Sequence, residues 1–213
     1  METFTKDQVI RTVSAMCEII IENEVPFCEL DSAAGDGDFG MSLAKGFKVV
    51  QAQWDEHSRE DIGAFLKDCG LIIIEHCGGA SGPIWGSAIF AMGKYSKGKQ
   101  TLNLVELGDM VQTAIDAVQR RGGAKLGDKT LLDALIPAVE SIKASGAAGE
   151  TFAVALPKSV VAAIDGGERT KLIVATKGRA SYVGDRSINF PDAGATAIGI
   201  IYSDLLRRAT VSG

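Results

Sequence analysis

The sequence lacks the segments that would take a chain into or across a membrane. It has no apolar run of about 18 residues and no N-terminal signal pattern. It also has no excess of basic residues: 27 acidic side chains against 22 basic ones give a net charge of -5. This balance argues against nucleic acid or an anionic membrane as the partner. A cytoplasmic location follows by default, and the length favours one domain over residues 1–213.

Cysteine and histidine are both scarce. The four cysteines form no C-x-x-C pair, so we expect buried, reduced thiols at Cys17, Cys28, Cys69 and Cys77. Both histidines are interpreted as structural, with His57 on the surface in an ordinary turn and His76 at a helix end.

Apolar residues recur at helical spacing over most of the chain, which predicts an all-α fold of about eight helices. Capping-box patterns at Thr5/Gln8 and Asn103/Glu106 mark two starts. Pro26 is expected to end the first helix and Asp192 to cap the last. Lys171–Thr176, an apolar run compatible with strand or helix, is assigned to helix because no partner strand is visible. The first predicted helix covers Thr5–Val25, and the second begins near Asp38–Met41 with an apolar stripe that runs to Trp54. The third, fourth and fifth cover Arg59–Cys77, Ile84–Lys94 and Asn103–Arg121. The sixth carries Leu132 to Ile142 with Pro137 inside, the seventh begins at Thr151 and the last at Asp192.

One short stretch concentrates acid. Asp31, Asp36 and Asp38 fall within eight residues, interleaved with glycine and alanine. A tight glycine turn can aim three carboxylates at one point, where they repel each other unless a cation lies between them. Hard oxygen ligands favour Mg²⁺ or Ca²⁺ over Zn²⁺. A solvated surface turn is the alternative interpretation.

The unusual loops alternate along the chain. If consecutive helices run antiparallel, the first, third, fifth and seventh connections lie at one end of a helical bundle. These are the acidic loop, Gly78–Gly82, the loop from Arg120 to Thr130, and the polar loop from Lys177 to Pro191. Helix N-termini bind phosphate, and Arg179 is able to clamp an anion. The pattern therefore predicts a composite nucleotide site at one end of the bundle.

The ordered motifs resemble the L subunit of dihydroxyacetone kinase, the nucleotide-binding component. The resemblance rests on Asp31 with Gly35–Asp38, Gly78–Gly82, Gly127–Thr130 with Asp133 and Pro137, Ala175–Tyr182, and Asp192–Thr196. It implies an antiparallel barrel of about eight helices that binds ADP or ATP with Mg²⁺, the ions expected as a pair. It also implies phosphoryl transfer to a short ketose held by a separate K-type subunit. A phospho-histidine protein of a sugar phosphotransferase system is an expected donor where the ADP stays bound, and a homodimer or hetero-oligomer is the expected assembly.

The resemblance also assigns roles to residues. Asp31, Asp36 and Asp38 match Mg²⁺ ligands, and Arg179 is the expected catalytic residue. The matched nucleotide contacts are Phe39, Gly40, Met41, Ser42, Ala80, Ser81, Gly122, Leu131, Arg179, Asp192, Ala193 and Gly194.

Three departures from the family pattern leave alternatives open. Phe39 replaces the usual histidine, Ala80 replaces a common serine, and Ser187–Pro191 differs from the usual Gly-His-Gln. The ketose, for example dihydroxyacetone or erythrulose, and the phosphoryl donor are therefore left open. A second hypothesis is an ADP-sensing module without turnover; a metal-dependent phosphohydrolase is weaker, because no water-activating base is apparent. Lys129 is assigned either a phosphate contact or a salt bridge.

Overall fold

In this computed structural model of the chain, residues 2–211 are described, apart from the side chain of Val211; positions 1, 212 and 213 of the predicted domain lie outside that range. The α-helices are α1 Lys6–Glu22, α2 Glu24–Ser32, α3 Phe39–Ala52, α4 Ile62–His76, α5 Ser87–Tyr95, α6 Leu104–Gly122, α7 Leu132–Ala147, α8 Phe152–Arg169 and α9 Ala193–Val211. Shorter helical turns cover Trp54–Glu56, Gly82–Gly86, Thr170–Leu172 and Arg179–Ser187. Two short antiparallel strands, β1 Phe4–Thr5 and β2 Thr101–Leu102, pair Phe4 with Leu102.

The local start signals are confirmed. Thr5 and Gln8 form a reciprocal capping box at α1, and Asn103 and Glu106 form another at α6. The Asp192 carboxylate accepts the N–H of Ala195 at 2.8 Å, which caps α9. Each of these signals lies within four residues of sequence, so no distant partner is needed to form it.

The first predicted helix is wrong at its end. Asn23 separates α1 from α2, and its side-chain amide donates to the carbonyl of Ile19 at 2.8 Å. Pro26 lies in the first turn of α2, where the missing N–H has no intrahelical acceptor to lose. The chain therefore continues as helix through Asp31 and does not enter a loop at residue 26.

The helical assignment of Lys171–Thr176 is also wrong beyond Leu172. Ile173 is extended, with φ -120° and ψ 148°. The N–H groups of Ala175 and Thr176 donate to the Ser187 hydroxyl at 3.0 Å and to the Asp128 carbonyl at 3.2 Å. Because both acceptors are distant in sequence, the apolar run alone could not reveal the extended backbone.

Eight of the described helices form a closed ring. From α3 to α9 each helix packs on the next, and α1 packs on both α3 and α9. The extra helix α2 lies against α3 and α9. The all-α barrel is therefore as predicted, with nine described helices where eight were expected, because α1 and α2 are separate. The ring encloses an apolar core whose largest buried side chains include Phe27, Phe47, Phe65, Ile19, Ile20, Leu43, Ile62, Ile73, Leu102, Leu132 and Ile201.

The connections of the ring divide between two ends. At one end Lys6 donates to Arg59 and Gln100, and the N–H of Ile62 donates to Lys99. At the other end the loops before α3, α5, α7 and α9 lie close together, as described below. The alternation of loops is thus confirmed by contacts. None of the described helices combines the length and apolar character needed to cross a bilayer.

His57 is not on the surface as predicted. Its side chain is 5% exposed, and its Nε2 lies 2.9 Å from the carbonyl of Val50. The ring packs edge-on between Trp54 and Phe65. His57 therefore has a structural role, as expected, but it plays that role inside the core and not at the surface.

Candidate functional site

Three carboxylates converge at the end of α2. Asp31 lies in the last turn of that helix, and Asp36 and Asp38 follow in the turn leading to α3. Each offers one oxygen, and these three oxygens lie within 4.8 Å of one another. Within residues 2–211 this is the one such group of three potential ligands. The convergence expected from the sequence is therefore present.

The position of Asp31 depends on the glycines around it. Its Oδ2 accepts the N–H of Gly37 at 2.8 Å, and Gly37 has a left-handed φ of +75°. A Cβ atom on Gly35 would lie 2.1 Å from Asp31 Oδ1, so any larger residue would displace this carboxylate. Burial raises the pKa of Asp31; the Gly37 N–H opposes that rise, and the negative charge of Asp36 adds to it.

The donor set fits a hard divalent cation. Mg²⁺ binds oxygen at about 2.1 Å, so ligands on opposite sides of the ion lie about 4.2 Å apart. A separation of up to 4.8 Å needs only a small contraction of the turn. All three groups are carboxylates, which suit Mg²⁺ or Ca²⁺, and their mutual repulsion would be relieved by bound positive charge.

Helix α3 begins directly beside this cluster, at Phe39–Ser42. Its first N–H groups have no acceptor within the helix and point out of the N-terminus. The N–H of Met41 lies 3.3 Å from Cys28 Sγ on α2, and the Phe39 ring packs on Phe27 with centroids 5.9 Å apart. The Phe39 side chain is therefore held by the core, and only its backbone is available at the helix start.

Gly40 has a structural reason to be glycine. An added Cβ would lie 1.9 Å from the carbonyl oxygen of Glu24 on α2. This close approach brings the start of α3 against α2, and so sets the distance between the helix N-terminus and Asp31.

The second glycine loop joins the same end. The N–H of Gly78 donates to the Ser42 carbonyl at 3.1 Å, which places Ala80 and Ser81 next to the start of α3. Gly122, the last residue of α6, lies near the loop from the other side: a Cβ there would come within 3.3 Å of Ile84.

The third loop, residues 123–131, is folded around Asp133. The two carboxylate oxygens of Asp133 accept the N–H groups of Gly127 at 2.6 Å and Thr130 at 2.7 Å. This fold presents Leu131 to the start of α9, where a Cβ on Gly194 would lie 3.2 Å from the Leu131 Cβ. Leu131 and the Asp192–Gly194 turn thus form one group.

Arg179 connects this end of the barrel to the acidic cluster. Its Nη2 lies 2.9 Å from Asp36 Oδ2, and 63% of its side chain is exposed. The backbone leading to Arg179 is fixed by Thr176, whose hydroxyl donates to Asp128 Oδ1 at 2.7 Å. That hydrogen bond, followed by the Lys125 N–H, lowers the pKa of Asp128.

Both roles predicted for Lys129 are wrong. The side chain is 1% exposed, and its ammonium group donates to the carbonyls of Ile173, Ser187 and Phe190. It forms neither an ion pair at contact distance nor an exposed anion contact. Burial lowers its pKa, and the charge of Asp192 opposes that shift.

Asp192 is the most strongly shifted carboxyl at this end. Burial raises its pKa to about 7; the nearby charge of Asp133 adds to the rise, whereas the Ala195 N–H and Lys129 oppose it. The first turn of α9 thus contains a carboxyl group that titrates near neutrality.

Three contributors to this end were missed by sequence reasoning: the Lys129 tether, the Asp133 turn and the Cys28 contact. Asp133 had a weak signal, because an aspartate three residues after Thr130 at a helix start is typical of local capping. Lys129 and Cys28 had none, since their acceptors and donors lie between 13 and 61 residues away.

Comparisons with known proteins agree with this geometry. The DAK2 domain family model matches residues 33–207. The ADP-binding subunit DhaL of the PEP-dependent dihydroxyacetone kinase of Escherichia coli is 33% identical over 196 residues, covering 92% of this chain and 93% of the relative. DhaL of the PEP-dependent dihydroxyacetone kinase 2 of Listeria innocua is 38% identical over 193 residues, 88% of each chain.

A solved structure shares the fold. The dihydroxyacetone kinase of C. freundii, crystallised with AMP-PNP and Mg²⁺, superposes with a TM-score of 0.73 at 23% identity, over 94% of this chain and 33% of that one. The match of the family model over most of the sequence, with full-length relatives above 30% identity, is decisive for classification: the chain belongs to the DAK2 domain family and resembles the L subunits of dihydroxyacetone kinases.

Proposed function

We propose that this chain is the Mg-adenine-nucleotide-binding L subunit of a dihydroxyacetone-type kinase. In this proposal it transfers a phosphoryl group from bound ATP to a short ketose held by a separate K-type subunit. Residues 1–213 act as a single nucleotide-binding domain. The observation that carries the proposal is the convergence of three carboxylate oxygens within 4.8 Å beside the α3 N-terminus, with Arg179 2.9 Å from Asp36.

Each group has a role in this proposal. Asp31, Asp36 and Asp38 would hold Mg²⁺, which when bound neutralises phosphate charge. The start of α3 at Phe39–Ser42 and the Gly78–Gly82 turn would contact phosphate oxygens, the first of them through the Gly40 N–H, which has no acceptor within the helix. Arg179 would orient the transferred group, because its planar guanidinium matches phosphate oxygens. Such chemistry depends mainly on positioning and charge neutralisation, so no nucleophile from this chain is required.

The remaining nucleotide contacts fall in two groups. Ala80, Ser81 and Gly122 lie around the α5 start, and Leu131 with Asp192, Ala193 and Gly194 lies around the α9 start. We propose that the nucleotide spans both groups.

The phosphoryl donor is a further part of the proposal, supported by the names of the relatives. The E. coli and L. innocua relatives are subunits of PEP-dependent kinases. A donor of the phospho-histidine type, acting on ADP that stays bound, is therefore proposed ahead of exchangeable ATP. ADP retained through purification would support this donor.

Isothermal titration calorimetry with Mg-ADP tests the metal assignment. We expect Asp36→Asn and Asp38→Asn each to abolish detectable binding, because a neutral amide removes a charged ligand from Mg²⁺. Asp55→Asn, an exposed acid elsewhere in the chain, is the control and should bind like the parent chain. Helical content by circular dichroism should be the same in all three variants, and unchanged affinity in the first two would overturn the metal assignment.

A second candidate is an ADP-sensing module that regulates a partner without turnover. The packing of Phe39 on Phe27 favours it, because the side chain at the helix start then has no polar group for a phosphate. Mixing the chain with a K-type subunit and dihydroxyacetone separates the two when the phosphoryl donor is supplied both as Mg-ATP and, in a second reaction, as a phospho-histidine protein. Sugar phosphate formation supports the kinase, and tight ADP binding without product supports the sensor.

A further inference from the structure

Lys129 is a buried cation in the loop before α7, and it does not belong to the proposed metal or phosphate contacts. The residue adopts a left-handed φ of +63°, which is uncommon for a side chain other than glycine. Its side chain, 1% exposed, points away from solvent toward the segment 173–190. Both the backbone strain and the burial need a compensating interaction.

That interaction is a set of three hydrogen bonds. The ammonium nitrogen lies 3.1 Å from the Ile173 carbonyl oxygen, 2.5 Å from that of Ser187 and 2.8 Å from that of Phe190. An ammonium group has three N–H donors, so each has an acceptor. Within residues 2–211 no carboxylate lies at ion-pair distance from this nitrogen. The charge is therefore stabilised by peptide dipoles.

The three carbonyls lie at both ends of one segment. Ile173 is where the segment leaves the helical turn after α8, and Ser187 and Phe190 are where it returns to α9. Arg179 lies between them, and Asp192 lies two residues beyond. One ammonium group thus joins the two ends of the segment that carries Arg179.

Two neighbouring hydrogen bonds also join the ends of segment 173–190, which form its base, but neither supplies a donor to the three carbonyls. The N–H of Ala175 donates to the Ser187 hydroxyl, and Asn189 donates to the Lys171 carbonyl at 2.9 Å. Residues 177–186 themselves extend from this base with Arg179 largely exposed. Without the ammonium group, one buried and two partly buried carbonyls would lose this donor at once.

We infer that Lys129 is a positioning residue for the nucleotide: it holds segment 173–190 closed at its base and so places Arg179 opposite the acidic cluster and Asp192–Gly194 opposite Leu131. The inference rests on the proposed function for its ligand, Mg-ADP. Lys129 itself would contact neither the nucleotide nor the metal, because its three N–H donors are used by backbone carbonyls.

The test compares Lys129→Met with Lys171→Met in the full-length chain. Lys171 lies at the base of the same segment, but its side chain pairs with exposed Glu168, so its replacement should change little. For Lys129→Met we expect amide hydrogen exchange to rise at least about tenfold within 173–190, with the rest of the barrel unchanged. We also expect Mg-ADP affinity to fall about tenfold or more, because small misplacements of a clamp are costly.

A merely structural lysine would behave differently. It would raise exchange throughout the chain, or would lower thermal stability with the affinity of the folded protein unchanged, and either result would overturn the inference. In the kinase assay we expect kcat to fall, because Arg179 is misplaced in the reacting state; when Mg-ATP is the donor, the KM for nucleotide should rise as well.

If Lys129→Met does not fold, Lys129→Gln is measured in its place, since its amide retains donors for part of the set. Wild-type exchange within 173–190 in that variant, with wild-type affinity, would count against the inference. Absence of Mg-ADP binding by the parent chain would instead overturn the proposed function, while the exchange comparison would still report on the tether.

Discussion

At the scale of single residues, Asp192 is a carboxyl group with conflicting neighbours. It caps α9 through the Ala195 N–H, a contact that favours the charged form, yet burial and Asp133 favour the neutral form, and its pKa rises to about 7. Between about pH 4 and about pH 7, Asp192 is protonated in the folded chain but ionised in the unfolded chain. Folding stability therefore falls as pH rises from about 4 to about 7 and is then level.

Asp192→Asn should remove this dependence. The amide still caps the helix but carries no charge, so we expect the variant to gain stability relative to the parent by about 4 kcal/mol between about pH 4 and pH 8. Urea unfolding at the two pH values measures the difference. In the control Asp165→Asn, which changes an exposed acid on α8, the free energy of unfolding should change with pH as it does in the parent. The same pH dependence in Asp192→Asn would contradict the raised pKa of Asp192.

Residues also mark the limit of sequence reasoning. The aspartates at 31, 36 and 38 and the cap at Asp192 were found because their partners lie within a few positions. Lys129 and His57 were misassigned because their acceptors are carbonyls brought near by the fold, and a backbone carbonyl leaves no mark in the sequence. The ligands of the predicted cation and nucleotide remain predictions.

At the scale of elements, the pairing of α2 with α3 determines the acidic cluster. Asp31 is on the last turn of one helix, and the N–H groups that we propose for phosphate binding are on the first turn of the other. The sequence predicts the second helix but places Asp31 in a loop, because a proline at position 26 is typical of a helix end. The close contact at Gly40 is what brings the two helices into register.

Gly40→Ala tests this contact. The added methyl would lie 1.9 Å from the Glu24 carbonyl, so α2 and α3 must separate, and we expect a loss of about 2 kcal/mol of stability or more. Gly199→Ala in α9 is the matched control, because its Cβ would meet Ile164 at an ordinary 3.4 Å and alanine favours helix. Chemical denaturation gives both values; a neutral result for Gly40→Ala would show that the helices tolerate separation.

At the scale of the whole molecule, the closed ring separates two ends with different loops. The strands β1 and β2, with the ring of Phe4 6.0 Å from that of Phe152, join the chain at the end away from the glycine loops. Helical periodicity and loop alternation were enough to predict this division. The two short strands escaped prediction, because two-residue strands have no readable period.

Phe4→Ala should therefore affect stability without affecting the site. Loss of the contacts to Phe152 and the core should lower unfolding free energy by about 2 kcal/mol. Mg-ADP affinity, measured by calorimetry well below the melting temperature, should match the parent. A weaker affinity in a fully folded sample would show that the two ends are coupled.

The packing of Phe39 on Phe27 has a consequence for acid–base behaviour. A hydrocarbon ring neither takes up nor releases a proton, so the Phe39 side chain contributes no pH-dependent charge at the start of α3. An imidazole at this position, the usual residue of the family pattern, would switch its charge near neutral pH. A change of nucleotide affinity with acidity would then come from groups other than this side chain, among them the Asp192 carboxyl, whose pKa burial raises to about 7.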